Sequence, residues 1–166
     1  MGYFIGYEIG ERYYNLSQDK SKAIKELIEL DYTDENDVER IVDTSKLLPK
    51  TLHKLTKDYE KQRPTVVSIK PFKNGSRKVN PGLCQITLTF SEAMDTKFRG
   101  FDFGPLGEGY TYKFVRIISW SDDKKSFTYE VELKSDKRYQ FLVTNSFRNE
   151  KGIRLKPYLV EFKTRR

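Results

Sequence analysis

The sequence predicts an α+β fold in which a helical segment, residues 1–63, precedes an antiparallel β-sandwich, residues 64–166. The main observation is a change in the spacing of apolar residues. Before Pro64 they recur at intervals of three and four, which is the period of an α-helix. After Pro64 they alternate in twos between short groups of turn residues, which is typical of β-strands. The boundary between the two segments is therefore expected near Pro64.

Four helices are expected in the first segment. The first carries Ile5, Ile9 and Tyr13 at a spacing of four, and Phe4 and Tyr7 broaden this apolar stripe. The second is expected from Lys20 to Leu30, the third follows a break at residues 31–34, and the fourth begins near Pro49, which suits a first helical turn. The candidate N-caps are Ser17 or Asp19 for the second helix and Thr33 or Asp34 for the third.

Glycine recurs along the first helix at Gly2, Gly6 and Gly10, again at a spacing of four. Each glycine costs a helix about 1 kcal/mol relative to alanine. We therefore expect a packing contact to offset this cost. The three glycines would form a groove in which the helix docks on the sandwich, on another copy of the chain or on a domain outside it.

Six apolar runs after Pro64 are expected to be strands, and breaks rich in Ser, Asp, Lys and Gly separate them. A glycine-rich stretch, residues 100–109, lacks the Lys-Ser/Thr pair of a phosphate-binding loop, and we expect a flexible connection there. Its Phe101 and Phe103 would either be exposed or alternate into the core. The six expected strands are Val66–Ile69, Leu83–Phe90, Tyr112–Trp120, Phe127–Leu133, Tyr139–Thr144 and Tyr158–Phe162.

Several stretches of residues 64–164 resemble the bacterial Ig-like domains of exported and surface proteins. The first is Pro64 to Ser68 with Pro71, Gly75 and Val79, and the second is Ile86 to Asp95. Leu133 with Tyr139, and Gly152 with Phe162-Lys163-Thr164, follow in the same order as in that family. The resemblance implies a seven-stranded Greek-key sandwich, a non-catalytic role as a spacer or interaction module, and a location in the periplasm, on the cell surface or outside the cell.

The helical segment resembles another family. Gly2 to Ile9, Tyr13-Tyr14, Asp19-Lys20 and Ala23-Ile24 look like the helical end of bacterial zinc-peptidase-like domains. The His-Glu-x-x-His motif that holds zinc in such enzymes does not occur in this sequence. The resemblance implies either an association with a peptidase-like protein or a C-terminal fragment of a zinc metallopeptidase whose catalytic site lies outside this chain.

The composition argues against catalysis within the chain, which contains one His and one Cys. One residue of each kind cannot build a four-ligand structural zinc site or an internal disulfide. His53 is expected to be a solvated surface residue, and Cys84 a buried small hydrophobe. Two sets of acidic residues are interpreted as structural rather than metal-binding, and we predict no catalytic, cofactor or metal site. The two sets are Glu92, Asp95 and Asp102, and the turn residues Asp122 and Asp123.

The net charge of +7 is unevenly distributed. Residues 1–63 hold 11 basic and 13 acidic residues, whereas residues 64–166 hold 20 and 11, so the second segment carries the whole positive excess. This favours a basic module for anionic polymers as one alternative function, although no nucleic-acid-binding signature is present and nucleic acid is not the expected partner. The candidate basic patch is Lys70, Lys73, Arg77 and Lys78.

The function that combines these observations is that of a non-catalytic accessory or interaction module of a bacterial envelope or exported protein. Its expected partner is another protein or a separate catalytic domain. Residues 1–10 do not have the pattern of a secretory signal, and no apolar run is long enough to span a membrane.

Overall fold

The computed structural model describes residues 2–166, which form four α-helices followed by seven β-strands. The chain divides between Lys61 and Gln62 into two compact units. No helix among these residues has the length and apolar character needed to cross a membrane. The helices are α1 (Gly2–Leu16), α2 (Lys20–Ile28), α3 (Glu35–Ser45) and α4 (Leu52–Gln62).

The helical unit has a small core centred on α1. Tyr13, Ala23 and Ile41 are buried together, one from each of the first three helices. The Tyr13 hydroxyl donates to the Glu26 carboxylate and accepts a 3.2 Å hydrogen bond from the Arg40 guanidinium. These polar contacts join α1, α2 and α3 at the edge of the apolar core.

Asp19 and Asp34 are the N-caps of α2 and α3, as two of the candidate caps predicted. Asp19 accepts a hydrogen bond from the Lys22 amide and Asp34 from the Asn36 amide, each at 2.9 Å. A carboxylate at this position satisfies a backbone N–H that the helix leaves without a partner, and its charge is favourable at the positive end of the helix dipole.

Two helix predictions are wrong in detail. The apolar stripe of α1 buries only its C-terminal part, because Phe4 and Tyr7 are 82% and 68% exposed. The fourth helix begins at Leu52 rather than near Pro49. Thr51 precedes it, and its hydroxyl accepts a 3.3 Å hydrogen bond from the Lys54 amide. A side-chain cap therefore sets the start of this helix, and proline does not.

The strands form two antiparallel sheets. One has the order β1-β2-β5-β4 and the other the order β3-β6-β7. This is the strand order of a seven-stranded immunoglobulin-type sandwich, in which A, B, E and D face C, F and G. The strands are β1 (Val66–Lys70), β2 (Gly82–Phe90), β3 (Phe101–Phe103), β4 (Lys113–Trp120), β5 (Ser126–Leu133), β6 (Arg138–Val143) and β7 (Tyr158–Lys163).

The core of this unit is rich in aromatic side chains. The partly buried Phe101 of β3 packs against this core, with its ring centroid 5.0 Å from that of Tyr129 and 5.6 Å from that of Phe147. Trp120 packs against the same group, with its ring centroid 4.9 Å from that of Phe127 and the two rings tilted by 44°. The single cysteine cannot form the inter-sheet disulfide found in antibody domains, so aromatic packing is the main feature of this core.

Tyr139 fixes the connection between β5 and β6. It is 1% exposed, and its hydroxyl accepts a 2.7 Å hydrogen bond from the Lys134 amide five residues upstream. This is the tyrosine corner of Ig-type sandwiches, in which a tyrosine at the start of strand F holds the preceding turn. Thr164, which directly follows β7, holds the same turn, since its hydroxyl donates to the Lys134 carbonyl at 2.7 Å.

The glycine-rich stretch, residues 100–109, was predicted to be a flexible connection. This is wrong for residues 101–103, which form the strand β3. Gly100 and Gly104 flank this strand, and each lies too close to β6 and its continuation for a side chain. A Cβ on Gly100 would be 2.7 Å from the Thr144 hydroxyl, and one on Gly104 would overlap the Gln140 side chain. These two glycines therefore let β3 approach β6 rather than provide flexibility.

Candidate interaction surfaces

An apolar surface follows the free edges of β3 and β4 in the sandwich unit. Both strands lie at the end of their sheets. Seven large apolar side chains between positions 103 and 118 are 37% to 49% exposed. We call this surface the apolar edge, and its residues are Phe103, Leu106, Tyr110, Phe114, Val115, Ile117 and Ile118.

The register of β4 explains why these side chains are exposed. The pairing with β5 shifts between Phe114 and Arg116 and again between Ile117 and Ser119. Val115 and Ile118 are the extra residues of these two bulges, so neither has a partner on β5. Phe114 pairs with the fully buried Val131, yet it is 48% exposed itself.

A depression of about 350 Å³ continues the apolar edge between the two sheets. Phe103 and Phe114 line it from β3 and β4, and Phe101, Tyr112 and Phe141 close its inner side. Tyr112 donates a 3.2 Å hydrogen bond to Tyr129 at the bottom, and burial raises the pKa of both phenols. Both hydroxyls are therefore neutral at physiological pH, and Asp102 is the one ionisable carboxylate among the described residues that line the depression.

The cations of β4 are neutralised within the sheet. Lys113 forms a 2.8 Å salt bridge with Glu132, and Arg116 a 3.0 Å salt bridge with Glu130. The hydrogen bond from Arg116, together with one from Gln85, lowers the pKa of Glu130, and Lys113 lowers that of Glu132. Both carboxylates are consequently ionised at neutral pH, so the cations of β4 add little net charge to the apolar edge.

The predicted basic patch is divided by the structure between two neighbouring grooves. Lys73 and Lys78 line one groove of about 900 Å³, together with Leu83 and Cys84 of β2. Arg77 lines a second groove of about 440 Å³. Lys70 ends β1 and lines neither of these grooves.

The second groove brings together cations that are distant in the sequence. Arg138 on β6 and Lys163 on β7 lie beside Arg77 there. Arg138 forms a 3.0 Å salt bridge with Glu161, which also lines the groove, and Lys163 forms a 2.9 Å salt bridge with Asp136. Lys163 is distant in sequence from the predicted basic patch, and its pairing with Arg138 in the β6–β7 register brings it to this groove.

The glycine groove of α1 has no packing partner at two of its positions. A Cβ on Gly6 or on Gly10 would meet nothing within 4 Å, so no other helix in the described part of the helical unit packs against α1 at these two positions. The surroundings of Gly2 fall outside the described residues. Docking of this groove on the sandwich, on another copy of the chain or on a separate domain stays a prediction.

His53 and Cys84 have the structural roles that the sequence favoured. His53 is exposed on α4, and its backbone amide donates a 3.0 Å hydrogen bond to Glu39. Cys84 is half-buried rather than fully buried, it packs against the sandwich core, and burial raises the pKa of its thiol. A raised pKa lowers the thiolate fraction, so this cysteine is a poor nucleophile.

The acidic residues considered as metal ligands have other partners. Glu92 accepts a 3.0 Å hydrogen bond from Asn149, and Asp95 forms a 3.6 Å salt bridge with Arg148. Asp102 accepts a hydrogen bond from the Phe103 amide, and Asp123 holds the β4–β5 turn through the Lys125 amide and the Ser121 hydroxyl. Within residues 2–166, no three His, Cys, Asp or Glu side chains cluster as metal ligands would.

Comparison with known proteins assigns the sandwich to a family. The family model described as "Bacterial Ig-like domain" matches residues 60–164. The chain belongs to the bacterial Ig-like domain family. The match covers the seven strands, and it confirms the resemblance drawn from the landmarks between Pro64 and Thr164. Domains of this family are generally non-catalytic, and the match indicates no enzyme family.

Two solved structures match the chain at low sequence identity. The S-layer protein rSbsC(31-844) is 14% identical with a TM-score of 0.43; the match covers 96% of this chain, which spans 21% of that chain. CopC from Methylosinus trichosporium OB3b is 11% identical with a TM-score of 0.42 over 62% of this chain and 94% of that one. No curated protein matches the chain.

The comparisons do not show the resemblance of the helical segment to peptidase-like domains. The family match begins at residue 60, so it leaves α1 to α3 of this bacterial Ig-like protein without an assigned family. The link to a zinc peptidase, either as an associated protein or as a fragment, stays a prediction from the sequence.

Sequence reasoning missed the apolar edge. The run Phe114 to Ile118 is apolar except for Arg116, and it does not alternate in twos as a regular strand with one buried face would. The pattern fits two successive bulges, in each of which two residues pair with β5 and a third, Val115 or Ile118, has no partner. That departure from strict alternation is the signal from which the edge could have been found.

Proposed function

We propose that this chain is a non-catalytic interaction module of an exported or cell-envelope bacterial protein, and that its apolar edge binds a second copy of the chain. Membership of the bacterial Ig-like family supports the extracytoplasmic location and the absence of catalysis. The observation that carries the interaction role is the set of seven exposed apolar side chains on the free edges of β3 and β4.

The size of the apolar edge supports a specific interface. Large apolar and aromatic side chains have roughly 150–250 Å² each, so seven of them exposed to this degree present about 500 Å². This is at the upper end of the largest patch found on a typical monomer, where such patches are often functional. A standard interface buries about 800 Å² per partner, and polar residues at the rim would supply the remainder.

The charge pattern of β4 favours its own copy as the occupant. The two cations are already paired within the sheet, so an apolar partner without compensating carboxylates fits best. An antiparallel pair of β4 strands about an axis between Arg116 and Ile117 would place Val115 opposite Ile118 and Lys113 opposite Trp120. No like charges face each other in this register, and a two-fold interface needs such self-complementarity.

The test is the oligomeric state of the whole chain over a range of concentrations, measured by sedimentation velocity. We expect a concentration-dependent dimer. The variant Val115→Asp with Ile118→Asp should be monomeric, because it places charge at the apolar edge. Both residues are bulge residues outside the ladder with β5, so the sheet should keep its structure.

The matched control is Val67→Asp with Leu83→Asp. These residues are 58% and 70% exposed on β1 and β2, outside the apolar edge. The control should dimerise like the wild type. A wild type that stays monomeric at hundreds of micromolar, or a control that dissociates as completely as the edge variant, would contradict the proposal.

The location is tested separately. Fractionation of the source bacterium, followed by detection with an antibody, should place the protein in the envelope or in the medium. Recovery in the cytoplasmic fraction would contradict the extracytoplasmic part of the proposal without affecting the interface.

A further inference from the structure

The two basic grooves of the sandwich unit are continuous. Both are lined by Gly75 and Ser76, so these residues form the divide between them. Gly75 has a φ of +82°, a conformation that favours glycine, and a Cβ there would meet nothing within 4 Å. The divide is therefore low and open, and an elongated molecule can lie across it.

Backbone hydrogen bonds place cations from three segments of chain side by side. The segment from Gly75 to Val79 runs along β7, since the Gly75 amide donates to the Glu161 carbonyl and the Lys163 amide to the Ser76 carbonyl, each at 2.7 Å. The Val79 amide returns a 3.0 Å hydrogen bond to the Lys163 carbonyl. Arg77 consequently lies next to Lys163.

The register of β6 with β7 places a third cation, Arg138, beside Arg77 and Lys163. Lys163 pairs directly with Arg138, and the residue preceding Lys163, Phe162, is buried. Successive side chains of a strand point to opposite faces, so Lys163 lies on the outer face of the sheet. Neighbouring strands are about 4.8 Å apart, and Arg77, Lys163 and Arg138 therefore cross the outer face in a short row.

The charges of this surface are incompletely balanced. Arg138 and Lys163 have carboxylate partners. The salt bridges of residues 2–166 include none of Lys73, Arg77 and Lys78. No Asp or Glu occurs in the sequence between Glu60 and Glu92, which is the part of the chain that builds the first groove. Three positive charges are thus left for a ligand along the joined grooves.

We propose that the joined grooves bind a linear acidic polysaccharide, whose carboxylate or sulfate groups pair with Lys73, Lys78 and Arg77 in succession. The length of the surface favours a polymer over a single small anion. A single-stranded nucleic acid would need exposed aromatic rings on which its bases could stack. Phe72 is buried, and its ring packs 4.3 Å from that of Phe162, so this aromatic residue of the grooves offers no such platform.

This inference goes beyond the proposed self-association, because it uses different residues on another part of the sandwich. The probes are heparin and polygalacturonate, titrated into the whole chain at several salt concentrations, with single-stranded oligothymidylate as a third ligand. The wild type should bind both polysaccharides, with an affinity that falls steeply as salt increases.

The variant Arg77→Gln with Lys78→Gln removes one cation from each groove. It should bind the polysaccharides about tenfold more weakly, the loss expected from two exposed ion pairs. The slope of log affinity against log salt should fall by about 1.5, by analogy with lost phosphate contacts. The control Lys97→Gln with Lys125→Gln removes the same charge from exposed positions outside the grooves, and it should bind like the wild type.

Three results would overturn the proposal. They are a wild type that binds neither polysaccharide at low salt, a control that loses as much affinity as the groove variant, and oligothymidylate that binds more tightly than the polysaccharides. Unchanged Trp120 fluorescence in both variants shows that the sandwich is folded, so a loss of binding in the groove variant alone supports the site.

Discussion

Replacing Gly104 with Ala should lower the free energy of unfolding of the sandwich unit by about 1–3 kcal/mol. Gly104 directly follows β3 and lies against the Gln140 side chain of β6. The new methyl group would lie 2.7 Å from Cδ of Gln140. Gln140 is 4% exposed, and its side-chain oxygen accepts a 2.7 Å hydrogen bond from the Leu106 amide. Its amide group donates to Glu161, so the side chain is held at both atoms and cannot move freely.

The magnitude follows from three contributions. Overpacking a filled site costs about 1–3 kcal/mol, and weakening the Gln140–Leu106 hydrogen bond costs about 0.5–1.5 kcal/mol. Replacing glycine by alanine gains about 0.4–1 kcal/mol, because it reduces the freedom of the unfolded chain. The net loss corresponds to a fall in the melting temperature of roughly 10 °C for a unit of this size.

Urea denaturation followed by fluorescence measures this loss in the whole chain. Trp120 is the only tryptophan, and it packs in the sandwich core, so its emission reports this unit alone. Gly109→Ala is the control, because a Cβ there would meet nothing within 4 Å and its φ is not in the left-handed range. This control should leave stability unchanged or raise it slightly.

A double-mutant cycle identifies the cause. In a Gln140→Ala background the overlap is absent, so Gly104→Ala should cost little. The reasoning is refuted when Gly104→Ala leaves the stability of the wild type unchanged, or when it costs as much in the Gln140→Ala background as in the wild type.

Two further predictions concern hydrogen bonds of the sandwich. Tyr139→Phe should cost about 0.5–1.5 kcal/mol in the same urea titration, because it removes the hydrogen bond that the Tyr139 hydroxyl accepts from the Lys134 amide. An unchanged midpoint would show that this corner is not needed for stability. The pKa of Glu130 is lowered by the hydrogen bonds that its carboxylate accepts from Arg116 and Gln85. The ionised carboxylate therefore stabilises the fold above about pH 4.5, and this contribution is lost as the pH falls through the lowered pKa. Glu130→Gln should therefore flatten the dependence of stability on pH between about pH 5 and pH 3, and an acid dependence equal to that of the wild type would contradict this.

Strand positions could be predicted because alternation and turns are local properties. Six expected strands correspond to six observed ones with limits that differ by one residue, as in Leu83–Phe90 against Gly82–Phe90. The seventh, β3, was missed because it is three residues long between glycines. Its existence depends on the close approach of Gly100 and Gly104 to β6, which no local pattern reveals.

Burial within the helical unit was harder to predict for a physical reason. Periodicity shows which residues share a face of α1, but it does not show where the neighbouring helices end. The face is therefore buried at Tyr13 and exposed at Phe4. The same limit applies to the start of α4, where a threonine cap and a nearby proline were both compatible with the sequence.

The candidate surfaces depended even more on tertiary structure. The sequence placed Lys73, Arg77 and Lys78 near one turn, but only the pairing of β6 with β7 adds Arg138 and Lys163 to them. The apolar edge requires the knowledge that β3 and β4 end their sheets. Local spacing cannot give this information, because strand order is set by contacts between distant parts of the chain.

The central claim is that the apolar edge is covered by a second copy of the chain. Hydrogen–deuterium exchange at low and high protein concentration tests it most directly. The account predicts that peptides covering Phe103 and the strand β4 become protected as concentration rises, while peptides of β1 do not change. Equal exchange of β4 at both concentrations would contradict the account.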